Sequence, residues 1–168
     1  MVDARFDRRA GSPTGSRPKK SDPDREALGR SRGGFSSKVH VVTDALGNPL
    51  AFRVTAGQRH DITQAEPLLK TLSEAQRRQV EAVLADKGYD SNAFIDAIVA
   101  LEAQAVIPSR KGRKEPRDYD IELYKQRNLV ERFFNRIKHY RRVATRYEKS
   151  VQNYVSFLHL ASIMVWLL

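Results

Sequence analysis

The sequence predicts an α/β domain in which a mixed sheet is flanked by helices. Three observations carry that expectation. Short β-branched or apolar runs end at turn signals near 35–43, 50–55, 80–85 and 105–107. Stretches with helical spacing lie between and after them. Hydrophobic residues make up 40% and charged residues 30%, the balance of a chain that buries a core. At 168 residues there is room for one such domain, 1–168, and little for a second.

Residues 2–6 read as a short strand. The stretch 7–34 carries Gly11, Pro13, Gly15, Pro18, Pro23, Gly29, Gly33 and Gly34 among many charges and is expected to be a mobile loop. Phe35 to Thr43 becomes β-branched toward its end, Asp44 to Asn48 is a turn, and Leu50 to Thr55 returns to make a hairpin. Thr63-Gln64-Ala65-Glu66 fits a capping box opening a helix to about Leu72, with Pro67 tolerated in the first turn.

Val80 to Ala85 reads as a buried strand ending at Asp86, and Gly88 breaks the chain. Asp90, alone or with Ser91, then caps a helix to about Glu102. Ala105 to Ile107 is a third core strand stopped by Pro108, and Ser109 to Arg117 is a basic loop. One long helix is expected over about 119–142, and a buried closing helix over 151–167.

The formal charge is +10 with a pI near 10.1, which favours a polyanionic partner. Its distribution says more than its sum. Residues 108–149 hold 14 Lys/Arg against 6 Asp/Glu, and residues 1–40 hold 10 against 5. Residues 41–107 reverse the balance, 6 against 9. The flanks therefore read as phosphate-facing surfaces around an ordinary core, or else as solvated basic faces.

The absence of cysteine excludes disulfides, zinc fingers and thiol chemistry, and suits a reducing cytoplasm. The start, Met1-Val2-Asp3-Ala4-Arg5, has no apolar stretch of the kind a signal peptide needs. Val151 to Leu168 is apolar-rich but interrupted by Gln152, Asn153, Ser156, His159 and Ser162, too polar for a membrane span.

Three segments carry candidate chemistry. In Tyr124 to Lys138, helical geometry at about 100° per residue brings Tyr124, Arg127, Glu131 and Lys138 within roughly 60° of one another. Leu123, Val130, Phe134 and Ile137 form an adjacent apolar arc, and Arg132, Arg136 and His139 lie on another side, open to phosphates. A helix edge so placed holds a carboxylate rigidly, although an ordinary i,i+4 pair between Arg127 and Glu131 accounts for the same spacing. The second segment, Leu84 to Asp90, puts Asp86 just past a buried strand, where α/β sheets place catalytic groups. The third is Asp3 on the possible first strand, with Asp7 as a substitute. Asp44 reads as a turn residue, and His60-Asp61 as a loop anchor before a helix.

Together these segments resemble the bacterial insertion-sequence transposases of the DDE class, families four and five. Tyr124-x2-Arg127-x3-Glu131-x6-Lys138 matches their Tyr-Arg-Glu-Lys signature in full spacing. Leu84-Ala85-Asp86-Lys87-Gly88-Tyr89-Asp90 is similar to the segment carrying their second aspartate. Gly29 to Gly34, Thr55 to Asp61 and Arg141 to Tyr147 resemble further family segments, so the likeness covers about residues 25–168. Asp3 stands 26 residues before Gly29, near where the family places its first aspartate, but the Thr and Ala-His that usually follow are replaced by Arg5 and by Phe6 to Ala10.

The resemblance implies an RNase H-like fold in which Asp3, Asp86 and Glu131 bind metal and catalyse cleavage and strand transfer. Carboxylates without His or Cys suit Mg²⁺ or Mn²⁺, two ions about 3.5–4 Å apart. It also implies DNA contacts from Tyr124, Arg127 and Lys138, to which the basic residues Arg110, Lys111, Arg113, Lys114, Arg132 and Arg136 add a phosphate-binding surface. The partners expected are transposon ends, target DNA and further copies of the chain, in the cytoplasm near the nucleoid and away from membranes. The family's N-terminal DNA-binding region is expected to be absent, with an upstream reading frame as its possible source. An RNase H-like nuclease without transposition and a non-catalytic DNA-binding remnant stay open beside the transposase.

Overall fold

A computed structural model describes residues 2–7, 27–31 and 34–167, the backbone alone for 2–7, 30, 31, 34 and 35. The architecture is mixed α/β. Strands β1 (Val2–Asp7), β2 (Gly29–Ser31), β3 (Gly34–Thr43) and β4 (Pro49–Ala56) form one sheet in which β3 pairs with each of the others. β2 runs antiparallel to β3 with Gly29 opposite Ser36 and Ser31 opposite Gly34. A second sheet pairs β5 (Ala82–Leu84) in parallel with β6 (Gln104–Val106), Val83 opposite Ala105. The expectation of a loop over 7–34 falls largely outside the described residues, but Asp7 and Gly29–Ser31 are strand.

The helices are α1 (Ile62–Leu69), α2 (Glu74–Arg78), α3 (Asn92–Val99), α4 (Ile121–Lys125), α5 (Asn128–Ile137), α6 (Arg141–Ala144) and α7 (Val151–Leu167). The described chain separates into two compact units. Among the described residues, the first holds 2–3, 40–53 and 60–133; the second holds 4–7, 27–31, 34–39, 54–59 and 134–167.

In the first unit, Ala65, Leu68 and Leu69 of α1, Val83 of β5, Phe94 and Ile98 of α3, and Ile107 pack into one apolar cluster with Tyr89. That burial orders the parallel β5/β6 pair, because a two-stranded sheet has little stability unsupported. The β3–β4 hairpin closes where Asp44 Oδ1 accepts from the Leu46 and Asn48 amides at 2.9 and 2.8 Å. Gly47 sits there at φ +86°, a conformation that side chains disfavour.

Several local expectations are corrected. The capping box at Thr63 does not form: α1 opens two residues earlier, after Asp61, and Thr63 Oγ1 instead donates to His60 O at 2.6 Å. The capping box in this region belongs to α2, where Ser73 and Gln76 exchange both bonds. Ser91, rather than Asp90, caps α3 by accepting from the Phe94 amide.

The single helix expected over 119–142 is three. Between α4 and α5 the amides of Arg127 and Leu129 bond three residues back, to Tyr124 O and Gln126 O. This tighter winding separates α4 from α5, so the chain from Tyr124 to Glu131 is not one continuous helix. The α7 helix buries Tyr154, Leu158, Ala161, Ser162 and Val165 but exposes Leu160, Ile163, Met164, Trp166 and Leu167, so it closes the chain with one face rather than all round. No helix among the described residues is long and apolar enough to cross a membrane.

Candidate active site

Asp86 stands two residues past β5, at the N-cap of a short 3-10 turn over Lys87–Tyr89. Its Oδ1 accepts from the Gly88 amide at 2.6 Å, while Oδ2 has no partner among the described residues. In the sequence, Gly88 is expected to break the chain. Space is the better reason: a Cβ on Gly88 would lie 2.7 Å from Asp86 Oδ1. Only glycine lets this carboxylate fold back over the turn.

Glu131 lies in the first turn of α5 with its side chain 50% exposed. Arg127 Nη2 donates to its Oε1 at 2.6 Å, so the i,i+4 pair expected from spacing forms. The Arg127 guanidinium also sits 5.6 Å from the centre of the Tyr124 ring, and the Tyr119 and Tyr124 ring centres lie 5.4 Å apart in a T-shaped arrangement. Tyr124, Arg127 and Glu131 are thus linked as a short chain of contacts. Behind them, Val130 and Phe133 are buried, and Phe133 packs on Phe52 at 5.8 Å. The apolar arc holds at Val130, Phe134 and Ile137, while Leu123 is only half-buried.

Asp3 is on β1, where only the backbone is described, as is Asp7. Among the described residues no three His, Cys, Asp or Glu side chains gather closely enough to hold a metal ion. The donor set nevertheless suits a hard divalent cation: Asp86 keeps one oxygen open, Glu131 keeps its second oxygen open, and neither has sulfur or imidazole beside it among the described contacts.

The basic residues divide by task. Lys111, Lys114, Arg132, Arg136 and Lys138 are exposed, with no side-chain hydrogen bond or ion pair among the described residues. Arg110 and Arg113 are committed within the protein. Arg110 donates to Lys87 O and Gly88 O, and Arg113 donates to Asp90 Oδ1 at 2.7 Å, as does Arg117. This arrangement has no local signal in the sequence, since nothing near Asp90 pairs it with arginines more than twenty residues ahead.

Asp90 is buried, with 2% of its side chain exposed. Burial alone pushes its carboxyl up, but the Arg110 amide, the Arg113 hydrogen bond and the Arg113 and Arg117 charges outweigh it and hold it below the usual carboxylate range. A depressed folded-state pKa adds stability above the ordinary carboxylate range, lost as pH falls through the folded value. Thermal melts between about pH 5 and 2 should therefore show wild-type stability falling more steeply than that of Asp90→Asn, which has no carboxyl to protonate. Parallel curves would show that Asp90 is not held ionised by this cluster.

Comparison with known proteins matches residues 1–167 to the family described as Transposase DDE domain. Over 135 residues the chain is 40% identical to a protein of Brucella ovis named as a transposase for insertion sequence element IS6501, covering 79% of this chain and 99% of the relative. A Burkholderia cepacia protein named as a transposase for insertion sequence element IS402 is 32% identical over 135 residues, covering 77% of this chain and 62% of its own length. No solved structure matches. The family uses divalent metal ions and acts on DNA. With the match spanning nearly its whole length, the chain belongs to the DDE transposases of bacterial insertion sequences.

Proposed function

We propose that the chain is the catalytic part of an insertion-sequence transposase, an RNase H-like domain that cleaves and joins DNA at Asp3, Asp86 and Glu131. The observation that carries this reading is the state of Asp86. One oxygen is pinned by the Gly88 amide and the other is open, at the end of a parallel strand where ligands of α/β folds bind. Magnesium or manganese, two ions bound by these carboxylates, would supply activation of the attacking oxygen and stabilisation of the leaving one.

The chain's own residues do the rest. Arg127 holds Glu131 through Oε1 and leaves Oε2 for the site. Lys111, Lys114, Arg132, Arg136 and Lys138 present cations to phosphates, which position DNA without specifying its sequence. Tyr124 offers its ring beside Arg127. The partners proposed are transposon ends, target DNA and further copies of this chain. The place of action is the cytoplasm, at the nucleoid.

The test is incubation with DNA carrying the element's ends, in Mg²⁺ or Mn²⁺ and in chelator, scoring cuts and joined products. Metal-dependent cuts at the ends, followed by joining and lost in Asp86→Asn, are expected. Cutting anywhere without joining would make the protein a nuclease. Binding without cutting in either ion, at any concentration that saturates the DNA, would make it a DNA-binding remnant.

A further inference from the structure

Asp90 lies four residues past Asp86, and the chemistry proposed above gives it no task. Its Oδ2 accepts from the Arg110 backbone amide at 2.8 Å, and its Oδ1 from Arg113 Nη1 and Arg117 Nη1 at 2.7 Å each. The second amino groups of Arg113 and Arg117 both donate to Asn92 Oδ1. Three arginines of one loop thus converge on a single buried carboxylate. A loop whose basic residues only met solvent would leave those cations in water.

The Arg110 side chain shows what the arrangement holds. Its Nε donates to Lys87 O at 3.2 Å and its Nη2 to Gly88 O at 2.6 Å, gripping two successive carbonyls of the Asp86 turn. Lys87 O and the Gly88 N–H are opposite ends of one planar peptide. Arg110 bonds one end, and Asp86 Oδ1 bonds the other at 2.6 Å. Rotation of that peptide would break both bonds together. The orientation of Asp86 is therefore tied to Arg110, and Arg110 is tied through its own amide to Asp90.

We infer that Asp90 is a positioning residue for Asp86, acting through the grip of Arg110 on the Lys87–Gly88 peptide, with Arg113 and Arg117 fixing Asp90 in place. The inference rests on Asp86 being a metal ligand. Residues that orient a ligand from behind typically change metal affinity by about 10–100-fold when lost. Catalytic contact with DNA is not required of Asp90.

The experiment compares the wild-type chain with Asp86→Asn, Asp90→Asn and Arg110→Ala in two measurements. Free Mn²⁺ is followed by electron paramagnetic resonance during titration, and the Gly88 amide by hydrogen exchange. Asp90→Asn and Arg110→Ala should each weaken Mn²⁺ binding about 10-fold and speed Gly88 exchange by about 10-fold or more. Arg110→Lys, able to reach one carbonyl but not both, should fall between. Either variant, folded, with wild-type Mn²⁺ affinity and wild-type Gly88 exchange overturns the inference. If Asp90→Asn does not fold, Arg110→Ala decides, because it leaves Asp90 with both other arginines. Wild-type Mn²⁺ binding by Asp86→Asn would instead overturn the metal-site reading, while Gly88 exchange would still report on the grip.

Discussion

Replacing Glu131 by Gln is expected to lower metal-dependent strand cleavage by about 10³-fold, roughly 4 kcal/mol in the barrier, and to leave DNA affinity within about two-fold. The amide keeps the shape of the side chain and loses the anionic charge that divalent ions need. Loss of stability cannot mimic the effect. Glu131 is half exposed and its partner Arg127 is 22% exposed, so the broken pair costs about 0.5 kcal/mol or less. Single-turnover cleavage of end-bearing DNA, alongside filter binding and a thermal melt, separates the two. Cleavage by Glu131→Gln at the wild-type rate would reduce Glu131 to the ion-pair partner of Arg127.

What the sequence made legible follows the range of the interactions involved. The hairpin around Asp44, the strand before Asp86 and the closing helix are set by neighbours within a few residues, and each appears where local rules put it. The break between α4 and α5 was not legible. Helical spacing runs unbroken through Gln126 and Arg127, and the tightened turn there carries no Gly or Pro to mark it. The candidate site divides in the same way. Asp86 and Glu131 are candidates by position and by resemblance, and the Arg127–Glu131 pair follows from spacing. The Asp90 cluster was not, because its partners lie 20 to 27 residues away, and a basic loop that folds inward has the same composition as one that faces DNA.

Arg146 extends that ambiguity and carries the largest expected loss of stability. By composition it is one more cation in the basic stretch 108–149, but its side chain is buried, with the residue only 1% exposed. Within the second unit its Nη1 donates to Ser37 Oγ at 2.5 Å and approaches Ala27 O at 3.5 Å. Its Nε and Nη2 donate to Glu148 O and Lys149 O at 3.0 Å each, and its guanidinium lies 5.2 Å from the centre of the Tyr154 ring. Burial pushes the Tyr154 hydroxyl well above the usual phenol range, so it stays neutral and donates to Val143 O at 3.0 Å. Arg146→Ala would leave several of these acceptors unsatisfied inside the protein and should cost about 3–5 kcal/mol. Arg146→Lys should recover only part of that, since one ammonium cannot span the fork. Lys111→Ala and Lys114→Ala, at exposed positions, should stay within about 0.5 kcal/mol of wild type. The salt dependence of DNA binding should sort these residues in the opposite order. Each exposed lysine that meets a phosphate removes about 0.9 from the log–log slope when lost, whereas Arg146→Lys, studied where it remains folded, should leave the slope unchanged. Urea unfolding in which Arg146→Ala loses less than about 1 kcal/mol would show that this arginine anchors nothing.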